Sequence, residues 1–165
     1  MKKLYIIKGT MGIGKTTVSK LLKNSLDRSV FLDGDWCWDM SPFIVNEETK
    51  KMVIDNIIYL LNNFLKCSEY KNIIFCWVLN LKEVEKEILS RLNLEKVEVF
   101  SISLVCNELE LEKRLKKDIE LGLRKEEIIL KSKERLKDYK NHEGIKIEVS
   151  NLTPIEIVNI IKNIK

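Results

Sequence analysis

The sequence has little of what marks several large classes of protein. Among its 165 residues are 6 glycines and 2 prolines, too few for a collagen-like, Pro-rich or low-complexity chain. Its apolar runs stop well short of the roughly 18 residues that a membrane helix needs. The first run, Leu4–Ile7, is followed by Lys8 and is too short for the apolar core of a signal peptide. We therefore expect a soluble, cytoplasmic globular protein without a membrane partner.

Residues for thiol and zinc chemistry are also scarce. The chain has 4 cysteines, none of them in a C-x-x-C pair, and a single histidine, His142. A zinc site or a Cys–His catalytic pair requires more of these residues at close spacing. We expect the cysteines to be free in a reducing compartment, and His142 to be a loop residue without a ligand role.

An excess of one charge is nearly absent as well. The 29 Lys and Arg residues stand against 25 Asp and Glu residues, which leaves a net charge of +4. This surplus suits an anionic ligand but is too small to indicate a nucleic-acid-binding surface. We expect no nucleic-acid partner, and a monomer or homodimer.

What the chain does have is an alternation of short apolar runs with segments of helical periodicity. Strands are predicted at residues 4–7, 29–32, 72–78, 97–105 and 146–149. Because these runs are continuously apolar, they are typical of a parallel sheet that helices cover on both faces. No repeat and no Pro/Ser linker divides the sequence. We predict one doubly wound α/β domain over residues 1–165.

The most specific signal is a glycine-rich motif, G-x-x-x-x-G-K-T, directly after the first strand. Glycines let backbone N–H groups surround a phosphate, and the start of the following helix adds positive potential. Lys15 is predicted to contact the β- and γ-phosphates of ATP, and the Thr16 hydroxyl to ligate Mg²⁺. The predicted phosphate-binding residues are Gly9, Thr10, Met11, Gly12, Ile13, Gly14, Lys15, Thr16 and Thr17.

Two carboxylates, Asp33 and Asp35, follow the second strand. On an extended strand they point to the same side, at the carboxyl edge where open α/β sheets bind ligands. We predict that Asp33 joins Thr16 at the metal and that Asp35 accepts the proton of a substrate hydroxyl. A strand-ending turn is the alternative, because Asp and Gly are common in turns.

Aromatic and amide side chains are predicted at the same edge of the sheet. Trp36 follows the acidic pair, and Trp77 and Asn80 lie at the end of the third strand. We predict that these residues, with Asp33 and Asp35, bind the phosphoryl acceptor, since tryptophan stacks on planar or sugar-like faces. The alternative for the tryptophans is packing between the sheet and the next helix.

Two further absences narrow the function. The sequence has no guanine-reading N-K-x-D motif, and its third strand has no terminal Asp of the kind found in motor ATPases. With Gly9–Thr16 and Asp33-Gly34-Asp35, the chain resembles the small P-loop kinases of the adenylate-kinase-like group. That group includes nucleoside and nucleotide kinases, shikimate and gluconate kinases, adenylylsulfate kinase and chloramphenicol phosphotransferase. The resemblance implies a three-layer fold with strand order 2-3-1-4-5, a short helical lid, and transfer of the γ-phosphoryl of ATP with Mg²⁺.

The charged segment 107–140 is predicted to be helical, with a break at Gly122. Its first part, 107–124, resembles the kinase lid, which implies that Arg114, Lys117 and Arg124 approach the phosphates. We predict Arg114 to be catalytic, beside Lys15 and Asp35. A surface pair with Glu110 is the alternative for Arg114. The resemblance implies a second lid arginine four residues after Arg114, where this sequence has Asp118.

The end of the chain is similar to the adenine-side loop of such kinases, which implies that Ser150, Asn151 and Leu152 lie beside the base. The activity implied is that of a small-molecule phosphotransferase, in the first place a nucleotide or nucleoside kinase. Two alternatives stay open. The Asp33-Gly34-Asp35 motif favours a kinase for a non-nucleotide such as a sugar acid or antibiotic. Asp118 favours a slow ATP-binding regulatory or toxin-like module.

Overall fold

The centre of the molecule is a five-stranded parallel sheet of order β2-β3-β1-β4-β5. It is seen in a computed structural model, which describes residues 1–164. The strands are β1 (Lys2–Lys8), β2 (Ser29–Asp33), β3 (Asn72–Trp77), β4 (Val97–Val105) and β5 (Ile145–Glu148). The predicted fold class and strand order are confirmed.

Helices cover both faces of this sheet. They are α1 (Lys15–Ser25), α2 (Glu47–Lys66), α3 (Lys82–Ser90), α4 (Glu108–Glu120), α5 (Ile128–Lys140) and α6 (Pro154–Lys162). Helices α1, α4, α5 and α6 contribute to the apolar cluster on one face, and α2 and α3 to the cluster on the other. None of the helices formed by residues 1–164 combines the length and apolarity that a membrane span requires.

Strand β1 explains why the sequence pattern is continuous rather than alternating. Tyr5 and Ile7 pack into one apolar cluster, whereas Leu4 and Ile6 pack into the other. All four are almost fully buried. A strand between two helical layers has no solvent face, so every position is apolar. The two clusters therefore form the two halves of a three-layer core.

Helix boundaries follow local capping chemistry. Asn46 and Thr49 form a capping box at the start of α2, and Thr153 and Glu156 form another at α6. The Asn107 side chain caps α4, and Gly122 lies just beyond its end with a φ of 69°. Such left-handed geometry favours glycine and ends a helix. The predicted lid, 107–124, is thus α4 with the turn that follows it.

The cysteines are free, as predicted. Cys76 and Cys106 are buried, and Cys37 and Cys67 are partly exposed. Burial raises the pKa of the Cys76 thiol to about 12, so this thiol is protonated and unreactive at neutral pH.

Candidate active site

The glycine-rich loop joins β1 to α1 at the carboxyl edge of the sheet. Gly12 and Gly14 have φ values of 79° and 102°, a region that glycine adopts without strain. Gly14 is the N-cap of α1, and within residues 1–164 no side chain caps this helix end. The first backbone N–H groups of α1 are therefore available to an anion, which fits a nucleotide phosphate.

Lys15 lies across this loop. Its Nζ donates a hydrogen bond to the Thr10 carbonyl oxygen at 3.0 Å. Burial lowers the pKa of Lys15 to about 8, although Asp35 and Asp33 act in the opposite direction. A polyphosphate would stabilise the ammonium form, so Lys15 is suited to bind one.

Replacing Lys15 with alanine is expected to weaken ATP binding by about 10–100-fold, the worth of hydrogen bonds to a charged group. The wild-type affinity is also expected to fall as pH rises through about 8, because ATP binding favours the protonated lysine. Calorimetry across this pH range measures both effects. Lys20→Ala, an exposed lysine on the same helix, is the control. Equal ATP affinity in Lys15→Ala and wild type would contradict the predicted role.

Thr16 and Asp33 form the predicted metal site. The Thr16 hydroxyl donates to Asp33 Oδ2 at 2.8 Å, and Asp33 Oδ1 accepts from the Asp35 backbone N–H at 3.1 Å. Asp33 is only 5% exposed, and both of its oxygens are engaged. This arrangement favours Asp33 as the residue that orients Thr16, behind the metal rather than in contact with it.

The donor set at Thr16 fits Mg²⁺. Within residues 1–164 there is no group of three or more His, Cys, Asp or Glu side chains able to hold a metal by itself. Magnesium commonly takes one or two protein ligands and completes its shell with water and substrate phosphates. A single hydroxyl beside an anion-binding loop is sufficient for that chemistry.

The backbone at the acidic pair differs from the prediction. Strand β2 ends at Asp33, and Gly34–Trp38 forms a 3₁₀ helix, so the predicted placement of both carboxylates on one side of an extended strand end is wrong. The reason is that Asp33 caps the 3₁₀ helix by accepting from the Asp35 N–H, a side-chain bond that competes with strand pairing. The turn alternative is correct for the backbone, yet it leaves Asp35 at the sheet edge, where its side chain is partly covered by the wall of an adjoining cavity and partly open to solvent.

The environment of Asp35 suits a proton acceptor. Burial, followed by the charge of Asp33, raises the pKa of Asp35, while Lys15, Trp77 and Arg124 act to lower it. The net shift is upward, so this carboxylate binds a proton more readily than an ordinary aspartate. The ionised form of Asp35 and the ammonium form of Lys15 favour each other, so the protonation of the two groups is linked.

An open cavity of about 750 Å³ adjoins Asp35. Four of the predicted acceptor-binding residues line it, namely Asp35, Trp36, Trp77 and Asn80. Asp33 lies behind the wall, bound to Thr16. Met11 of the glycine-rich loop also lines the cavity. This loop, which is predicted to bind phosphate and is hereafter called the phosphate loop, therefore borders the same space as the predicted acceptor residues.

The wall between Asp35 and β3 is tightly packed. Gly34 lies directly against the Trp77 indole, and a Cβ at residue 34 would overlap the ring. Trp77 itself packs against the apolar cluster that includes α2 and α3. The packing alternative and the acceptor-binding prediction are therefore both consistent with the position of Trp77.

Several cavity residues were missed from the sequence. Lys131 and Arg135 of α5 line the cavity, as do Phe43 and Val45 from the segment before α2. Arg135 Nη1 contacts the Met11 sulfur at 2.9 Å. The available signal was the spacing of Lys131 and Arg135, four residues apart on one helix face. In a helix as charged as α5, that spacing does not distinguish them from solvated lysines and arginines.

Each nitrogen of the Arg114 guanidinium donates a hydrogen bond. Its Nε donates to Glu110 Oε1 at 2.8 Å, its Nη1 to the Ile13 carbonyl at 3.2 Å, and its Nη2 to the Val149 carbonyl at 2.9 Å. The predicted alternative, a pair with Glu110, is therefore present. Because these bonds tie α4 to the phosphate loop and to the end of β5, they favour a positioning role over the predicted catalytic one.

The other two lid cations have different surroundings. Arg124 Nε donates to Asp118 Oδ2 at 3.0 Å, and its charge contributes to lowering the pKa of Lys15 and of Asp35. Lys117 is on the exposed face of α4, where it lines a surface depression. Arg124 is therefore bound to Asp118 of α4, and its approach to the phosphates stays a prediction.

The predicted adenine-side loop lies beside Arg114, whose guanidinium binds the Val149 carbonyl. The Ser150 hydroxyl accepts from the Asn107 backbone N–H and side-chain amide, both at 2.9 Å. Leu152 packs against the apolar cluster, and Asn151 is exposed. Base binding by these three residues stays a prediction.

Comparison with known proteins places this geometry in context. A family model described as "AAA domain" matches residues 6–143. No curated protein matches the chain in sequence. Similar solved structures include a gluconokinase from Sinorhizobium meliloti 1021, with TM-score 0.70 and 13% identity over 95% of this chain and 87% of that one.

Two other structures have the same fold. The tunicamycin resistance protein of Deinococcus radiodurans has TM-score 0.69 and 15% identity, covering 98% of this chain and 94% of that one. Shikimate kinase from Acinetobacter baumannii, in complex with shikimate, has TM-score 0.66 and 20% identity, covering 98% and 91% respectively. At these identities the likeness is one of fold.

Proposed function

This chain belongs to the AAA domain family of P-loop proteins, and on that premise we propose that it is an ATP-dependent phosphotransferase acting on a small anionic hydroxyl compound. The observation that carries the proposal is the shared cavity. Met11 of the phosphate loop, the carboxylate Asp35 and the cation Arg135 all line one space of about 750 Å³. In this proposal the glycine-rich loop holds the phosphate donor, Asp35 accepts the proton and Arg135 binds the anion of the acceptor, all at the border of one cavity.

The walls of the cavity support an acceptor of this class. A guanidinium such as that of Arg135 pairs with carboxylate or phosphate through parallel hydrogen bonds, and Lys131 adds a second positive charge. Trp36, Trp38 and Trp77 supply flat apolar surface, which suits a ring. Two of the similar structures are named as kinases of gluconate and shikimate, which are hydroxy acids. A nucleoside monophosphate also combines an anion, a ring and hydroxyl groups. In a nucleotide kinase the acceptor atom is a phosphate oxygen of that compound, so the step would need no proton transfer to Asp35.

In the proposed reaction the acceptor oxygen forms a bond to the γ-phosphorus of ATP. The bond from that phosphorus to the bridging oxygen breaks, and ADP leaves with its electron pair. The hydroxyl proton passes to the Asp35 carboxylate. Lys15 and Arg124 offset negative charge on the transferred group. Thr16, oriented by Asp33, would hold Mg²⁺, which would supply further neutralising charge.

An assay of ADP formation with a panel of acceptors tests the proposal. The panel contains sugar acids and other hydroxy acids, nucleoside monophosphates, and uncharged sugars and nucleosides. We expect turnover with an anionic hydroxyl compound and none with its uncharged counterpart. ATP binding without turnover of any acceptor would support the regulatory or toxin-like alternative, and turnover of uncharged compounds alone would contradict the acceptor class.

Replacing Arg135 with alanine is expected to raise the KM for the anionic acceptor about 10–100-fold, because charge-assisted hydrogen bonds are lost. Arg135→Lys should recover part of this loss, since lysine keeps the charge but not the planar fork. Steady-state kinetics with each substrate varied in turn measures the effect. The KM for ATP is expected to be unchanged, and Lys137→Ala, exposed on the same helix, is the control. An equal rise in the KM for ATP would assign Arg135 to the phosphate loop instead.

A further inference from the structure

A buried histidine lies behind the acceptor cavity. His142 follows α5, as the predicted loop position requires, but it is only 3% exposed. Its ring packs on that of Tyr139, with 5.2 Å between centroids. Within residues 1–164, His142 Nδ1 and the Tyr139 hydroxyl have no hydrogen-bond partner. His142 makes its hydrogen bond through the second ring nitrogen, Nε2.

Nε2 of His142 lies 3.0 Å from the Asn80 carbonyl oxygen. A carbonyl oxygen only accepts, so Nε2 carries the hydrogen. Asn80 also donates from its side-chain Nδ2 to Asp138 Oδ2 at 3.4 Å. Asn80 is therefore held from two sides, by the loop after α5 and by the helix that carries Arg135.

We infer that His142 is a positioning residue for the acceptor cavity, because its Nε2–H holds the turn 78–81 between β3 and α3 in place. Val78 and Asn80 of that turn form part of the cavity wall. The hydrogen bond from His142 joins this turn to the segment that follows α5. One contact therefore fixes the cavity wall formed by the turn relative to the wall formed by α5. This inference rests on the proposed function, in which the cavity binds the acceptor.

The charges around the ring explain why it is neutral. Lys8 and Glu85 form a buried ion pair, and the second oxygen of Glu85 accepts from the Ser101 hydroxyl at 2.5 Å. The carboxylate is thus already engaged. Protonation of Nδ1 would place a second positive charge near Lys8, while the Glu85 carboxylate is already paired. A buried charge without a partner is unfavourable.

The charged groups that act on the pKa of His142 are Lys8 of β1 and Lys82 and Glu85 of α3. Tyr139 of α5 packs against the ring. Burial is the largest influence and lowers the pKa of His142, and the two lysines act in the same direction. The Asn80 carbonyl and Glu85 oppose them. At neutral pH the imidazole is therefore a neutral donor, and acid would add an unpaired charge to the cluster.

A matched pair of amide variants tests the inference. In His142→Gln the amide nitrogen reaches about as far as Nε2, whereas in His142→Asn it ends near the position of Nδ1. We expect the acceptor KM of His142→Gln to stay within about threefold of wild type and that of His142→Asn to rise about tenfold, the worth of one hydrogen bond. The KM for ATP is expected to be unchanged in both. Equal acceptor KM values in the two variants would overturn the inference.

Hydrogen exchange gives a readout that needs no acceptor, so it distinguishes failure of this inference from failure of the proposed function. Amides of residues 78–84 are expected to exchange faster in His142→Asn than in His142→Gln, with residues 9–16 unchanged. As pH is lowered through and below the ordinary range for histidine, wild type is expected to lose protection in 78–84 relative to His142→Gln, which does not titrate. If His142→Asn does not fold, this acid comparison carries the test. Equal exchange in wild type and His142→Gln at acid pH, or a rise across the whole sheet, would overturn the inference.

Discussion

Asp35→Asn is expected to reduce phosphoryl transfer by about 10²–10⁴-fold, the usual worth of general base catalysis, while ATP affinity stays nearly unchanged. Asparagine keeps the size and the polarity of the side chain but cannot accept the hydroxyl proton. The backbone N–H of residue 35, which Asp33 binds, is also kept. The 3₁₀ helix after β2 should therefore survive the substitution.

The pH dependence gives an independent check on Asp35. Burial and Asp33 raise its pKa, and transfer requires the ionised form. As pH is lowered, wild-type activity should therefore fall at a higher pH than the protonation of an ordinary aspartate would cause. The residual activity of Asp35→Asn should not show this fall. Asp39→Asn, an exposed acid lining the same cavity, is the control. If Asp35→Asn retains wild-type turnover, the residue is part of a turn only.

Arg124→Ala is expected to lower kcat on the order of 10³-fold, because an arginine that meets the charge of the transferred phosphoryl group can have that effect. ATP affinity should change little, and Arg124→Lys should recover only part of the rate. Single-turnover kinetics at saturating ATP and acceptor measures the loss. Lys117→Ala, on the exposed face of α4, serves as the control.

The same measurement on Arg114→Ala separates the two lid arginines. Arg114 binds the carbonyls of Ile13 and Val149, so its loss should lower the melting temperature and raise the KM for ATP, with a smaller effect on kcat. A loss of 10³-fold in kcat for Arg114→Ala, with near-normal kcat for Arg124→Ala, would instead restore the catalytic role predicted from the sequence.

The fold and the phosphate loop were predictable because their signals are local. Residues such as Tyr5 and Ile6 are apolar on successive positions of one strand, and that pattern alone indicates a strand covered on both faces. The loop Gly9–Thr16 is contiguous, and its context between a strand and a helix is read directly from the chain. The strand order, by contrast, has no local signal in the sequence. Its prediction rests on the family resemblance and not on residue spacing.

The roles of the lid arginines depend on partners far apart in the sequence. Arg114 is engaged by Ile13, about a hundred positions earlier, and by Val149, well after it. Spacing along α4 shows only the pair with Glu110. Likewise, Lys131 and Arg135 differ from the other cations of α5 only because that helix packs against the phosphate loop, where the Thr10 hydroxyl donates to the Ser132 carbonyl. Neither relation has a local signal.

The contact between Gly34 and Trp77 couples two positions that are far apart in the sequence. A side chain at 34 needs the volume that the indole fills, so substitutions at the two positions are coupled rather than additive. A chain that diverges from this one can exchange their sizes together, with a smaller residue at 77 admitting a larger one at 34. Such an exchange reshapes the cavity wall while Asp35 keeps its place. Substrate preference can therefore drift in this fold without any change to the groups that perform the chemistry.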